Sequence, residues 1–248
     1  MHSKTLDSKL FQVRYPIIDW FRGSAILLMV IYHLCYDLDV FGYIDTQFGV
    51  GYWIPFRYLI VISFLLLVGI SLQFVHANGI NWLSIKRRTI QLLAAALAVS
   101  ISSFIIASEK TTLFGILHLI LFSSWLALLF INKPWASLAI GTIIFLAGHL
   151  ITSTTLEIPW LHWIGMVVSQ RPALDYAPVF PWFGVVLWGC AIGYAIQYSN
   201  KIKMCLLNIE VKNNVFNRGL NWAGKHSLII YLLHQPLLYG VFLFISRP

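Results

Sequence analysis

Apolar runs of about twenty residues recur along the chain, and short clusters of charged, Pro and Gly residues separate them. A run of that length matches the hydrocarbon thickness of a bilayer when wound as a helix. The pattern predicts spans over 21–41, 55–76, 89–107, 113–131, 135–152, 179–198 and 227–245. The stretch 158–169 is too short for a span of its own. With Pro159, Trp160, His162 and Trp163 it reads as a re-entrant or interfacial piece, so the count is seven, or eight if it crosses. Residues 199–225 form the longest polar stretch, mildly amphipathic. It reads either as an interfacial helix with Lys201, Lys203 and Lys212 toward lipid headgroups or as a plain loop. Gly189-x-x-x-Gly193 predicts close approach of a neighbouring helix. The expected fold is all-α, a polytopic membrane helix bundle in one domain over 1–248 that begins with a short polar, cytoplasmic segment, 1–15. That segment has no apolar core or cleavage site of a signal peptide and is expected to be retained.

Composition agrees: 59% of residues are hydrophobic and 10% charged, against about 25% charged in soluble domains. Mean hydropathy is +0.78. The net charge of +8 tracks loop side. If the N-terminus is cytoplasmic, the inner segments collect Lys4, Lys9, Arg14, Arg22, Lys86, Arg87, Arg88, Lys133, Lys201, Lys203, Lys212, Arg218 and Lys225. Only Arg57, Lys110, Arg171 and Arg247 fall outside. That bias is the positive-inside pattern, and it forms no basic stripe for nucleic acid. Cys35, Cys190 and Cys205 lie far apart with no C-x-x-C, so neither a disulfide framework nor a metal site is expected, and they read as apolar packers.

The first span carries the most chemistry. At 100° per residue, with His33 as origin, Asp37 lies at about +40°, Arg22 at about −20°, Asp19 at about +40° and Met29 at about −40°. Asp19, Arg22, His33 and Asp37 thus share one stripe, while Asp39 points away. Ionisable groups at membrane depth are costly, so such a stripe faces the bundle interior or a wet cavity. His33 lies roughly 16 Å along the axis from Arg22, which puts it near mid-bilayer. Asp19 and Arg22, at i,i+3, are placed to pair. Asp37, at i,i+4 from His33, is placed to orient the imidazole. A carboxylate-oriented histidine serves as general base or nucleophile. The same pair also fits a structural hydrogen bond between helices or a proton relay.

His118 opens the fourth span near the outer face, within reach of His33 or Asp37. His234 lies mid-span in Tyr231-Leu-Leu-His-Gln-Pro236, where the proline frees a carbonyl one turn back. Both read as site or core residues. His149 reads as structural, His162 and His226 as interfacial, His2 and His76 as exposed. Trp20, Trp53, Trp82, Trp160, Trp163 and Trp222 read as interface anchors. Lys86-Arg87-Arg88 is topogenic and also suits an anionic ligand at the cytoplasmic mouth.

Asp19-Trp-Phe-Arg22-Gly23 followed by Met29, His33 and Asp37-Leu38 resembles the catalytic region of the heparan-α-glucosaminide N-acetyltransferase family, in particular its short bacterial members. The likeness continues through Phe64–Leu72, Lys86-Arg87-Arg88, Phe114-Gly-Ile-Leu-His118, Phe180-Pro-Trp-Phe-Gly184 and Gly224–Pro236, covering nearly all of 14 to 240. The resemblance implies an integral-membrane acyltransferase of a bacterial inner membrane with its N-terminus cytoplasmic. It implies transfer of acetyl from cytosolic acetyl-CoA to an amine or hydroxyl of a sugar, glycan or glycolipid on the far side. It further implies His33 as the essential histidine and Arg22 as the arginine of the family's signature. From the residues themselves, Asp37 is expected to orient His33. His118, His234 or Gln235 would hold the acceptor or the oxyanion. Asp19, Arg22, Lys86, Arg87 and Arg88 would hold the donor. No metal is implied. An envelope glycan, a glycolipid or a small amino sugar is the expected acceptor, and a homodimer is a further expectation. Two other classes remain open from the residues alone: a proton-coupled transporter using His33, Asp37 and His118, and a non-enzymatic membrane subunit.

Overall fold

The structure, a computed structural model, describes residues 15–46, 48, 50–106, 111–169, 175–207, 209 and 214–245. Lys4, Lys9, Arg14, Lys110, Arg171, Lys212, Arg247, His2 and the segment 1–14 lie outside the described residues. Nine helices follow one another among the described residues: α1 (Pro16–Val40), α2 (Trp53–His76), α3 (Trp82–Ile106), α4 (Ile116–Leu126), α5 (Pro134–Leu150), α6 (Val179–Tyr198), α7 (Asn200–Leu207), α8 (Val215–Lys225) and α9 (Ser227–Ile245). No strand occurs among them. Five, α1, α2, α3, α6 and α9, are long and apolar enough to cross a membrane. Two shorter apolar helices, Ile116–Phe130 and Pro134–Leu150, complete the seven expected segments.

The helices begin and end where local chemistry directs. α1 starts on Pro16, whose fixed φ suits the first helical position, and stops where Phe41 N–H bonds the Asp37 carbonyl. α5 also starts on a proline, Pro134. α8 starts on Asn214, whose side chain accepts from Asn217 N–H at 2.8 Å. At the head of α4, Gly115 N–H donates to His118 Nδ1 at 3.2 Å, which satisfies an otherwise orphaned end group.

α6 is the central helix and is mostly buried, whereas little of α9 is buried. Glycines let its neighbours close in. A Cβ at Gly189 would overlap the Leu66 carbonyl oxygen, and one at Gly69 would overlap that of Val186. Gly193 sits against Ile70 and Gln73. The Gly189/Gly193 expectation is therefore met, with α2 as the partner lying parallel to α6. α5 runs antiparallel on the other side, with Gly141 against Gly184 and Gly148 against Pro181. Leu65, Leu119, Val185, Val186 and Leu187 fill the centre, each 0% exposed.

The polar stretch 199–225 holds two helices, and α8 does more than line a surface. It lies antiparallel on α1, with Gly23 against the Leu220 carbonyl and Gly224 against that of Asp19. Val215 and Phe216 at its start are exposed apolar residues, level with Leu27 and Val30 of α1. α8 therefore descends beside α1 into the apolar zone and returns to a sharp turn at His226, from which α9 runs parallel to α1.

Several expectations are corrected. The third helix begins at Trp82, before the predicted 89, because Asn81 caps it through its side chain to Ser84 N–H. The fourth segment changes to a 3₁₀ turn at Ala127–Phe130. The stretch 158–169, by contrast, is as short of a span as expected: it contains one short 3₁₀ turn, His162–Ile164, and no membrane-length piece. His162 is buried against Tyr176, whose hydroxyl donates to the His162 carbonyl at 2.6 Å. His76 is buried, because its Nδ1 accepts from Asn81 N–H and secures the α2–α3 turn. Trp53 is buried in a stack with Phe48. Cys190 packs in the core as expected, whereas Cys205 is exposed on α7.

Candidate functional site

α1 and α9 run side by side, and their histidines meet. The rings of His33 and His234 stand edge to face with centroids 4.7 Å apart. His33 Nδ1 lies 2.9 Å from the Met29 carbonyl, and His234 Nδ1 lies 2.7 Å from the Tyr231 carbonyl. A carbonyl only accepts, so in each neutral ring the proton sits on Nδ1 and the lone pair on Nε2, an assignment made from the bonding. His234 Nε2 is buried and has no hydrogen-bond partner among the described residues. Two imidazoles thus bring basic nitrogens to one place inside the bundle.

Asp37 belongs to this neighbourhood but is not the group that orients His33. Its Oδ1 accepts from Gln235 Nε2 at 2.9 Å, and its Oδ2 is buried without a partner among the described residues. The Met29 carbonyl fixes the His33 ring instead. Asp37 is 1% exposed, lies within Coulombic reach of His33 and braces α1 to α9. Asp39 points away, as its angle on α1 requires, and accepts from Thr46 N–H and Oγ1 beyond the helix end.

His118 stands apart from the pair. Its Nδ1 is held by Gly115 N–H, and its Nε2 is 3.4 Å from Ser100 Oγ. Its ring joins neither His33 nor Asp37. His149 faces Phe145 and Tyr58 with Nδ1 on the Phe145 carbonyl, a structural setting.

At the N-terminal end of α1 the expected pair forms: Arg22 Nη1 donates to Asp19 Oδ1 at 3.0 Å. Arg22 Nη2 donates to Ser71 Oγ of α2 at 2.9 Å. Of Lys86, Arg87 and Arg88, the first two are exposed, and only Arg88 turns inward. Arg88 lies within Coulombic reach of Arg22, and its buried Nε has no hydrogen-bond partner among the described residues. Among the described residues, two guanidinium groups and one carboxylate meet at this mouth, and guanidinium groups suit a phosphate-bearing ligand. Beside it, Pro16, Asp19, Arg218, Asn221, Trp222 and Lys225 line an open cleft of about 390 Å³.

Sequence reasoning missed Asp175 and Tyr231. The Tyr231 hydroxyl donates to Asp175 Oδ2 at 2.6 Å, and Ile116 N–H at the head of α4 reaches the same oxygen at 3.3 Å. Burial pushes the Asp175 carboxyl up, opposed by these two hydrogen bonds and by the charges of His33 and His118. The chain has only nine acidic residues. A carboxylate beside the head of an apolar span was the available signal.

Comparison with curated proteins and with solved structures finds no match. The model of one family, described as the catalytic domain of heparan-alpha-glucosaminide N-acetyltransferase, matches residues 14–236. That range takes in α1, the inward arginines, the head of α4 and α9 as far as Pro236. The chain belongs to this family of membrane acetyltransferases.

Proposed function

We propose that this integral membrane protein moves an acetyl group from cytosolic acetyl-CoA to an amine or hydroxyl of a sugar, glycan or glycolipid on the opposite face, with His33 as the reacting histidine. The observation that carries the reading is the His33–His234 pair, with an unpartnered imidazole nitrogen buried between two helices. A polar atom kept unsatisfied inside a helix bundle costs stability and marks a place where a substrate group completes the bonding.

Arg22 and Arg88 would bind phosphate oxygens of the donor at the mouth, where the orphaned Arg88 Nε fits such an oxygen. Acetyl-CoA, when bound, supplies the activated acetyl thioester. His33 Nε2 takes the proton of the acceptor amine or hydroxyl as that atom bonds to the acetyl carbon and the carbon–sulfur bond breaks. Alternatively the same nitrogen carries the acetyl group between donor and acceptor. The Met29 carbonyl holds the Nδ1 proton and keeps Nε2 free for either task. His234, whose ring stands edge to face with that of His33, would bind the acceptor or receive its proton. His234 and Asp37 are buried between α1 and α9, a setting that would limit access of water able to hydrolyse the thioester. In this reading the N-terminus is cytoplasmic and the membrane is a bacterial inner membrane.

The test is thioester consumption and acetyl transfer by the purified protein in detergent, with radiolabelled acetyl-CoA and a panel of amino sugars and glycolipids. Transfer by the wild type that is lost in a folded His33→Ala variant supports the reading. Neither binding nor turnover of acetyl-CoA by a folded wild type would overturn it.

A further inference from the structure

α9 is lightly buried, yet it must hold His234 against His33. Two side chains one turn apart tie it down. Gln235 bonds Asp37 on α1, and Tyr231 bonds Asp175 in the segment leading to α6. His234 lies between these ties, with its Nδ1 on the carbonyl of Tyr231 itself. The Asp37 tie joins the two helices that carry the histidines. The Asp175 tie reaches outside them.

Asp175 is itself firmly placed. Its Oδ2 takes the Ile116 N–H at the head of α4, where the aligned peptide dipoles favour a carboxylate. A Cβ at Gly115 would stand 2.5 Å from the Asp175 carbonyl oxygen and 2.7 Å from its Oδ2, so only glycine admits it. A continuous path runs from α4 through Asp175 and Tyr231 to His234 and His33.

We infer that Asp175 is a positioning residue for the acetyl transfer, acting through Tyr231 to hold His234 in register with His33. The inference rests on the proposed function above and adds to it a residue that makes no contact of its own with the reacting nitrogens. Both hydrogen bonds converge on one oxygen, so an asparagine whose Oδ1 takes that place keeps them both. An alanine keeps neither. If the negative charge near the histidines were what matters, asparagine would be as harmful as alanine.

The experiment compares wild type, Asp175→Asn, Asp175→Ala, Tyr231→Phe and the Asp175→Ala/Tyr231→Phe double variant, each confirmed folded by size exclusion and circular dichroism. Acetyl transfer gives kcat and KM for acetyl-CoA. In parallel, diethylpyrocarbonate with mass-spectrometric mapping gives the modification rates of His33 and His234, a readout that needs no turnover. Asp175→Ala and Tyr231→Phe are expected to lower kcat by about 100-fold with KM unchanged, the scale of a misplaced catalytic group. The double variant should lose no more than either single, because both act through one bond. Asp175→Asn should stay within about threefold of wild type, as the retained bonds require. The His234 modification rate should change in the alanine and phenylalanine variants and not in the asparagine variant. Independent losses in the double variant, an asparagine variant as poor as alanine, or unchanged kcat and unchanged His234 reactivity in Asp175→Ala would each overturn the inference. If the wild type turns over no thioester, the functional reading fails on its own. The His234 modification rates then still decide the placement, and equal rates in wild type and Asp175→Ala sink it.

Discussion

Gln235 Nε2 and Asp37 Oδ1 lie 2.9 Å apart, and this bond joins the helix that carries His234 to the helix that carries His33. Asp37 has no other hydrogen-bond partner for its carboxylate among the described residues, and its second oxygen is already unsatisfied. Gln235→Leu removes the one donor and strands a carboxylate that is 1% exposed. The expected cost is roughly 1–3 kcal/mol or more, larger than for loss of a solvent-exposed bond. Thermal unfolding in detergent measures it. In a Gln235→Leu/Asp37→Leu double variant the cost should fall below the sum of the two singles, since the stranded charge is gone. Additive losses would mean that the two side chains do not depend on each other.

The pairing of His33 with His234 makes a second expectation. If His33 Nε2 handles the proton or the acetyl group, His33→Gln should lower kcat by about 10²- to 10⁴-fold, the range for loss of a positioned acid or base. KM for acetyl-CoA should hardly move, because the mouth arginines lie roughly 16 Å away along α1. His234→Gln should act on the acceptor side, raising KM for the acceptor or lowering kcat while donor KM stays constant. Initial rates with both substrates varied separate these outcomes. A His33→Gln enzyme with wild-type kcat would remove this histidine from the chemistry.

How much of this was legible beforehand depends on whether a contact is local. The Asp19–Arg22 pair follows from i,i+3 spacing on one helix, and it forms. The Gly189/Gly193 approach follows from small residues one turn apart, and α2 fills it. The single stripe holding Arg22, His33 and Asp37 also follows from helix geometry. What the stripe meets does not, because the partner is 198 residues away. Helical spacing therefore suggested that Asp37 orients His33, whereas a glutamine from α9 takes the carboxylate and the Met29 carbonyl takes the imidazole. Asp175 had no periodic pattern to expose it, since it lies in a loop and its partner Tyr231 is 56 residues on. His76 looked exposed because it sits at a helix end beside polar residues. Its bond to Asn81 draws it under the α2–α3 turn.

Arg22 separates charge from geometry. Its guanidinium bridges Asp19 and Ser71 with different nitrogens, fixing α1 to α2 at the mouth. Arg22→Lys keeps the charge but reaches only one partner well, because an ammonium lacks the planar fork. KM for acetyl-CoA should rise by about tenfold, the value of one charge-assisted hydrogen bond, with a smaller change in kcat. Arg88→Gln should likewise raise KM, whereas Arg87→Gln, on the exposed face, should not. Equal effects at 87 and 88 would argue for a diffuse basic surface in place of an inward pair.

The seating of α8 on α1 can be tested with two glycines, one pressed against backbone and one facing open space. A Cβ at Gly23 would overlap the Leu220 carbonyl oxygen, which is backbone and has no flexible end to swing aside. Gly23→Ala must therefore push the two helices apart, at a cost of about 1–3 kcal/mol for overpacking. Gly219 lies on α8 with nothing within 4 Å of its would-be Cβ. Gly219→Ala gains helix propensity without a clash and should stabilise by up to about 1 kcal/mol. The two substitutions add the same methyl group within one helix pair, so a general effect of alanine on solubility or expression would move both in one direction. Opposite shifts in the thermal midpoint are expected. Gly23→Ala should also raise KM for acetyl-CoA, since Arg22 is its chain neighbour. A neutral Gly23→Ala would mean that α8 does not pack on α1 as the structure has it.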